Sequence, residues 1–212
     1  MSRKGDAIWK TFLALGISIV ALIPFTFYLI NSLGPVSIHS LSLAKITGEF
    51  IDETTNQSTL IRVRVGPSGG CVWSNITDTT TCTAHLPYKP SSEALHLAAN
   101  ETISSAFPIA MGRALALNHV TTALMGLSIL AVAIDCLVLH GGISLAIVYF
   151  TIFFMWITFI LETVYVSTLH KRLDHLHNDQ WKFNHGEGYW FILAATIFVS
   201  ILSCGCNFSV DF

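Results

Sequence analysis

Residues 143–168 read ISLAIVYFTIFFMWITFILETVYVST, a run whose single charged residue, Glu162, stands near its end. A helix rises about 1.5 Å per residue, so about 20 apolar residues cross a hydrocarbon layer about 30 Å thick. This run exceeds that length and predicts a membrane-spanning helix that projects past the lipid. Only a closed set of backbone hydrogen bonds is tolerated in lipid, which favours a helix over an open strand for so long an apolar segment.

Working outward, only His140, Gly141 and Gly142 separate this run from another, apolar from about Leu117 to Leu139 and interrupted by Asp135. Two such runs joined by so short a turn predict a helical hairpin. Further runs cover Thr11 to Ile30, with Pro24 inside, and Tyr189 to Cys206. The expected layout is an inner tail (1–10), a first span (11–30), a large outer loop (31–113), a second span (114–139) and an inner turn (140–142). A third span (143–168), a second outer loop (169–187), a fourth span (188–206) and an inner tail (207–212) complete it. The first run exceeds the 7–15 residues of a signal-peptide core and lacks a clean cleavage site, so it is expected to stay attached.

Composition agrees. Apolar residues make up 52% of the chain and charged residues 11%, against roughly a quarter in soluble domains. A net charge of −2 argues against a nucleic-acid partner. Lys and Arg are balanced, with Arg3, Lys4 and Lys10 at one end and Lys171, Arg172 and Lys182 in the last loop. The large loop decides orientation, since it holds sequons at Asn56, Asn75 and Asn100 and two cysteines, features of an exoplasmic compartment. Both termini are therefore expected in the cytosol.

That topology sorts the five cysteines. Cys71 and Cys82 fall outside and predict a disulfide, which closes a loop of about 12 residues and contributes roughly 3 kcal/mol in the chain-entropy model. Cys136, Cys204 and Cys206 lie near the inner face, as palmitoylation candidates or as small apolar span residues.

Alternating polar and apolar residues at 37–43, 60–65 and 71–73, with a turn signal at Gly66-Pro67-Ser68-Gly69-Gly70, predict a small antiparallel outer sheet. Ser91 to Ser105 is expected to lead helically into the second span. Leu169, Leu173 and Leu176 extend the third helix outward, while Trp181, Phe183, Tyr189 and Trp190 suit interfacial anchors.

Gly66-x-x-Gly69-x-Cys71 followed by Cys82, in the first outer loop of a four-span chain, resembles the claudin-like superfamily. The resemblance is closest to its fungal branch, the eisosome-associated and PalI-type pH-response family. Arg113-Ala114-Leu115 with His119, Glu162 late in the third span, and Gly186-Glu187-Gly188-Tyr189-Trp190 are similar to that layout. A second fungal branch, the mating-induced regulators of low-affinity calcium influx and cell fusion, shares the Gly/Cys element, and Arg62-Val63-Arg64-Val65-Gly66 is similar to its lead-in. Pro67 and Ser68 depart from the family pattern, and no Trp precedes Gly66 within the loop. The resemblance implies a left-handed four-helix transmembrane bundle with a disulfide-pinned extracellular β-sheet. It also implies a non-enzymatic plasma-membrane protein that organises membrane domains, supports the cell wall or assists ambient-pH sensing. Regulation of calcium influx or of membrane fusion during mating is the alternative.

Charges within spans are costly and often functional. On the hairpin, Glu162 is expected level with His119, with Arg113 reaching it from above, and Asp135 within reach of inner water or Lys10. Seven histidines, His39, His85, His96, His170, His175, His177 and His185, fall on the outer side, where proton uptake would change the charge of the loops. His170 with Asp174, and His175 with Asp179, share helix faces, but no complete metal signature is present. No motif for catalysis, a cofactor or a small-molecule substrate is recognisable, and the span centres are too apolar for a transporter or channel. The expected partners are membrane lipids and other membrane proteins, or further copies of the chain.

Overall fold

The computed structural model describes residues 3–51, 58–76, 78–91, 95, 103–135, 143–175 and 181–207. Four long helices dominate: α1 (Arg3–Leu33), α4 (Leu117–Ile134), α5 (Ile143–Asp174) and α6 (Glu187–Asn207). Two short helices, α2 (Ile103–Ala106) and α3 (Ile109–Ala114), precede α4. Helix α1 packs on α4 and α6, and α5 packs on the same two, so the four helices close a ring.

Ile109–Ile134 and Ser144–Asp174 are long and apolar enough to cross a membrane; Ser18–Leu33 and Glu187–Ser203 form shorter apolar helices. The outward faces are apolar: Leu22 on α1, Leu130 on α4, Phe153 on α5 and Ile201 on α6 are all exposed. Inside the ring, Tyr28, Met125, Met155, Ile192 and Ala195 form one buried cluster.

A five-stranded antiparallel sheet covers one end of the helices. Its strands are β1 (Ala44–Ile51), β2 (Ser58–Gly66), β3 (Gly69–Ser74), β4 (Thr79–Thr83) and β5 (Trp181–His185), in the order β4-β3-β2-β1-β5. Side chains alternate across a sheet, so β2 buries Ile61, Val63 and Val65 while Arg62 points away. The buried face packs on Tyr165, Val166 and Leu169 toward the C-terminal end of α5.

Pro67 and Ser68 turn the β2–β3 hairpin, with Gly66 opposite Gly69. Gly69 adopts φ +137°, and a Cβ there would stand 2.1 Å from the Thr83 carbonyl oxygen. A Cβ on Gly66 would meet the Gly34 carbonyl oxygen at 2.5 Å. The Ser68 hydroxyl donates to that same Gly34 oxygen at 2.7 Å, tying the hairpin tip to the end of α1. Cys71 and Cys82 face each other across β3 and β4 and are disulfide-bonded, as the sequence predicts.

Three expectations change. Residues 37–43 are not a strand: after α1 the chain turns on itself, with Ser37 N–H donating to Leu33 O and Leu41 N–H to Ile38 O. Alternation there lacks a partner strand, and Gly34 instead lies tight beneath Leu41. Conversely, residues 181–185 form β5, paired with β1 from Ala44↔His185 to Gly48↔Trp181. Trp181 and Phe183, with Tyr189, are partly buried against the core beneath the sheet, whereas Trp190 stays exposed. The first helix also begins earlier and ends later than the 11–30 span. Of the helix expected at 91–105, Ser91, which is not helical, Leu95 and residues 103–105 of α2 fall within the described residues.

Candidate functional site

Polar residues are rare inside the ring and converge at one level. Glu162 on α5, Asn118 on α4 and Asn31 on α1 are all buried. Asn118 Nδ2 donates to Glu162 Oε1 at 2.7 Å, and Asn31 Nδ2 reaches the same oxygen at 3.5 Å. Glu162 Oε2 and the Oδ1 atoms of both asparagines are buried without a hydrogen-bond partner. A Cβ on Gly188 would stand 2.3 Å from Asn31 Oδ1, so the first turn of α6 closes directly over this group. Among the described residues no cation lies within ion-pair distance of Glu162.

This corrects the expected His119–Glu162 contact. Successive residues of an α-helix differ by about 100°, so position 118 faces α5 while position 119 faces elsewhere. His119 is exposed, and its Nε2 donates to the Pro67 carbonyl oxygen at 3.1 Å, fastening α4 to the β2–β3 turn. Arg113, in the last turn of α3, is likewise exposed and takes no part. Sequence reasoning overlooked Asn31 and Asn118; the available signal was a polar amide at each outer end of two apolar runs.

Further hydroxyl bonds run from this level into the ring. Thr121 and Thr158 join α4 to α5 at 2.6 Å, and the Tyr28 hydroxyl pairs with Thr196 at 3.0 Å, joining α1 to α6. Thr122 donates to the Asn118 carbonyl oxygen at 2.8 Å. Hydrogen bonds in a low-dielectric interior are stronger than in water and costly to leave unmade. The arrangement therefore cross-ties four helices. Chemically it is a clamp with one carboxyl oxygen in reserve.

At the other end of α4, buried Asp135 accepts from Ser144 Oγ at the start of α5; the side chain of Lys10, its expected partner, lies outside the described ones. At the outer edge Lys45 on β1 pairs with Glu187 at the start of α6. Partial burial pushes the Glu187 carboxyl up. The hydrogen bonds from Lys45 and its own backbone N–H, with the charges of Lys45 and Arg64, outweigh this and hold it below the ordinary carboxylate range. His170 stands 3.7 Å from Asp174, as the i, i+4 spacing suggests, and stacks on Phe183.

Asn75, exposed after β3, accepts from Leu60 N–H at 2.9 Å and donates to Ser58 O at 2.8 Å, so its amide clasps the start of β2. Asn56, Asn100 and Cys136 lie outside the described residues, as do His96, His177 and Asp179. Cys204 and Cys206 fall on the last turns of α6. His39 Nδ1 lies 3.5 Å from Cys82 Sγ and 3.9 Å from Cys71 Sγ. With the sulfurs bonded to each other they are not thiolates, the form that ligates metal. No protein-family model and no curated protein matches the chain.

Proposed function

We propose that this chain is a four-span plasma-membrane protein of the claudin-like type, with both termini in the cytosol. Its helices form a left-handed transmembrane bundle carrying the sheet outside. It acts without enzymatic chemistry, as an organiser of membrane domains or an accessory subunit, through lateral helix contacts and its outer sheet.

The observation that carries this reading is the distribution of polarity around the ring. Hydroxyl, amide and carboxyl groups turn inward and bind one another, while Leu22, Leu130, Phe153 and Ile201 turn outward. Exposed apolar surface on this scale marks a partner or lipid. The sheet supports the rest of the reading: β5, from the connection between α5 and α6, pairs with β1, which follows α1. The two outer connections thus make one plate suited to contact rather than two independent loops.

The deciding experiment is alkaline extraction of native membranes, glycosidase treatment of the full chain, and cross-linking in place with identification of the attached proteins. Retention in the membrane, a glycan on the 31–113 segment, and attached wall-synthesis or membrane-domain proteins are expected. Release into the soluble fraction overturns the reading. Capture of a calcium-channel subunit favours instead a regulator of calcium influx.

A further inference from the structure

The face of the sheet turned away from the helices carries a positive pocket of about 150 Å³, lined by His39, Arg62, Arg64, Cys71, Trp73 and Thr80. Arg62 and Arg64 are two positions apart on β2 and so share a face, about 6.6 Å apart along the strand. The Arg62 guanidinium lies over the Trp73 ring, 4.9 Å from its centroid, which fixes the plane of its donors. Arg64 donates to the His39 carbonyl oxygen, and His39 Nδ1 donates to Pro35 O at 3.1 Å. The Cys71–Cys82 disulfide stands beside that ring. The pocket walls are therefore held by the fold before any ligand arrives.

Among the described residues no acidic side chain lines the pocket. The positive charge also continues across neighbouring strands. Lys45 on β1 lies directly opposite Arg64, and Lys182 on β5 lies opposite Thr47, which itself faces Arg62. Neighbouring strands stand about 4.8 Å apart. Glu187 on Lys45 and exposed Glu49 offset part of this charge, leaving the excess at the Arg62–Arg64 end.

We infer that this pocket binds a carboxylate or sulfate carried on a sugar ring of an acidic polysaccharide outside the cell. The volume suits one ring with its anionic substituent. Guanidinium forks match the two oxygens of such a group, and the indole and threonine hydroxyl suit the ring itself. The row of cations across β2, β1 and β5 allows a linear polyanion to lie across the strands. A headgroup of the protein's own bilayer is a poorer fit, because the buried face of the sheet is the one turned to the helices. This preference rests on the membrane reading above; the pocket itself does not.

The test is calorimetric titration of the full chain in detergent with an oligogalacturonate of about six residues. Neutral dextran, an acidic glutamate peptide, and phosphatidylcholine vesicles containing phosphatidylserine serve as alternatives. Saturable, salt-sensitive binding to the oligogalacturonate is expected, weakened at least about tenfold by Arg62→Gln. Thr80→Asp, which adds an opposing charge at the exposed rim, is expected to abolish it, and Lys171→Gln on α5 to leave it unchanged. Thermal unfolding and the disulfide are checked in each variant. Undetectable binding, equal binding by Arg62→Gln and Thr80→Asp, or tighter binding of dextran, the peptide or the vesicles overturns the assignment. A chain that binds but leaves the membrane on alkaline extraction overturns the membrane reading alone.

Discussion

Asn118 donates its side-chain amide to Glu162 at 2.7 Å, while its neighbour His119 reaches out of the ring to Pro67. Removing the amide leaves a buried carboxyl with only the longer Asn31 contact. Asn118→Ala is expected to destabilise the protein by about 3 kcal/mol. Glu162→Gln, which keeps the shape and adds a donor facing partnerless oxygens, is expected to stay within about 1 kcal/mol of the parent or gain stability. Thermal unfolding in detergent measures both. Equal tolerance of the two substitutions removes the clamp.

Gly69→Ala places a side chain at φ +137° and against the Thr83 carbonyl oxygen. Strain of this kind costs about 1–3 kcal/mol before the clash is counted. Loss of the folded outer sheet is expected, read as reduced surface delivery and mixed disulfides. Wild-type surface levels would contradict the hairpin geometry.

Leu130 is 61% exposed on the outward face of α4. If that face meets lipid, Leu130→Lys costs about 2.5–3.5 kcal/mol on insertion and lowers the membrane-inserted fraction. In a water-soluble chain the same change is neutral or improves solubility. Fractionation after synthesis with microsomes separates the outcomes.

Loss of the outer disulfide, by Cys71→Ser with Cys82→Ser, is expected to lower stability by roughly 2–4 kcal/mol. Reductant should bring the parent to the same melting point and leave the double variant unmoved. A parent insensitive to reductant would show that the β3–β4 pairing stands without the bond.

The Lys45–Glu187 pair predicts a specific acid response. A carboxyl held below its ordinary range contributes fully above the unfolded value of about 4.3, and that contribution is lost as pH falls through the folded value. Because the pair is largely solvent-accessible, its worth is at most about 1 kcal/mol. Glu187→Gln should therefore melt slightly below the parent at pH 7, and the two should converge as pH drops below about 4. A gap that widens on acidification would be the wrong sign.

Much of this architecture is legible in residue patterns. Long apolar runs fix the helices, Leu60 to Val65 alternates because one face is buried, and Cys71 and Cys82 fall together in the connection after the first apolar run. Residues 37–43 alternate just as clearly, yet Gly34 and Pro35 turn the chain before a partner strand is reached. β5 is hidden because Trp181 and Phe183 carry the same signature whether they anchor in lipid headgroups or cover a sheet. The buried clamp eluded reading by a single position, since His119 and Asn118 differ by one residue in sequence and about 100° around the helix. Asn31 shows in the pattern as a polar amide at the end of its run, while its inward direction is set by the contact with Glu162 on α5.

Strand β5 leaves α5 and enters α6 within a few residues, and the start of its partner β1 is bonded to the entry of α6: Gly186 N–H donates to Leu43 O and Gly188 N–H to Ser42 O. Sliding α5 and α6 past α1 therefore means tearing a ladder of main-chain bonds. A displacement of the sheet is therefore expected to carry α1, α5 and α6 together rather than to slide one past another.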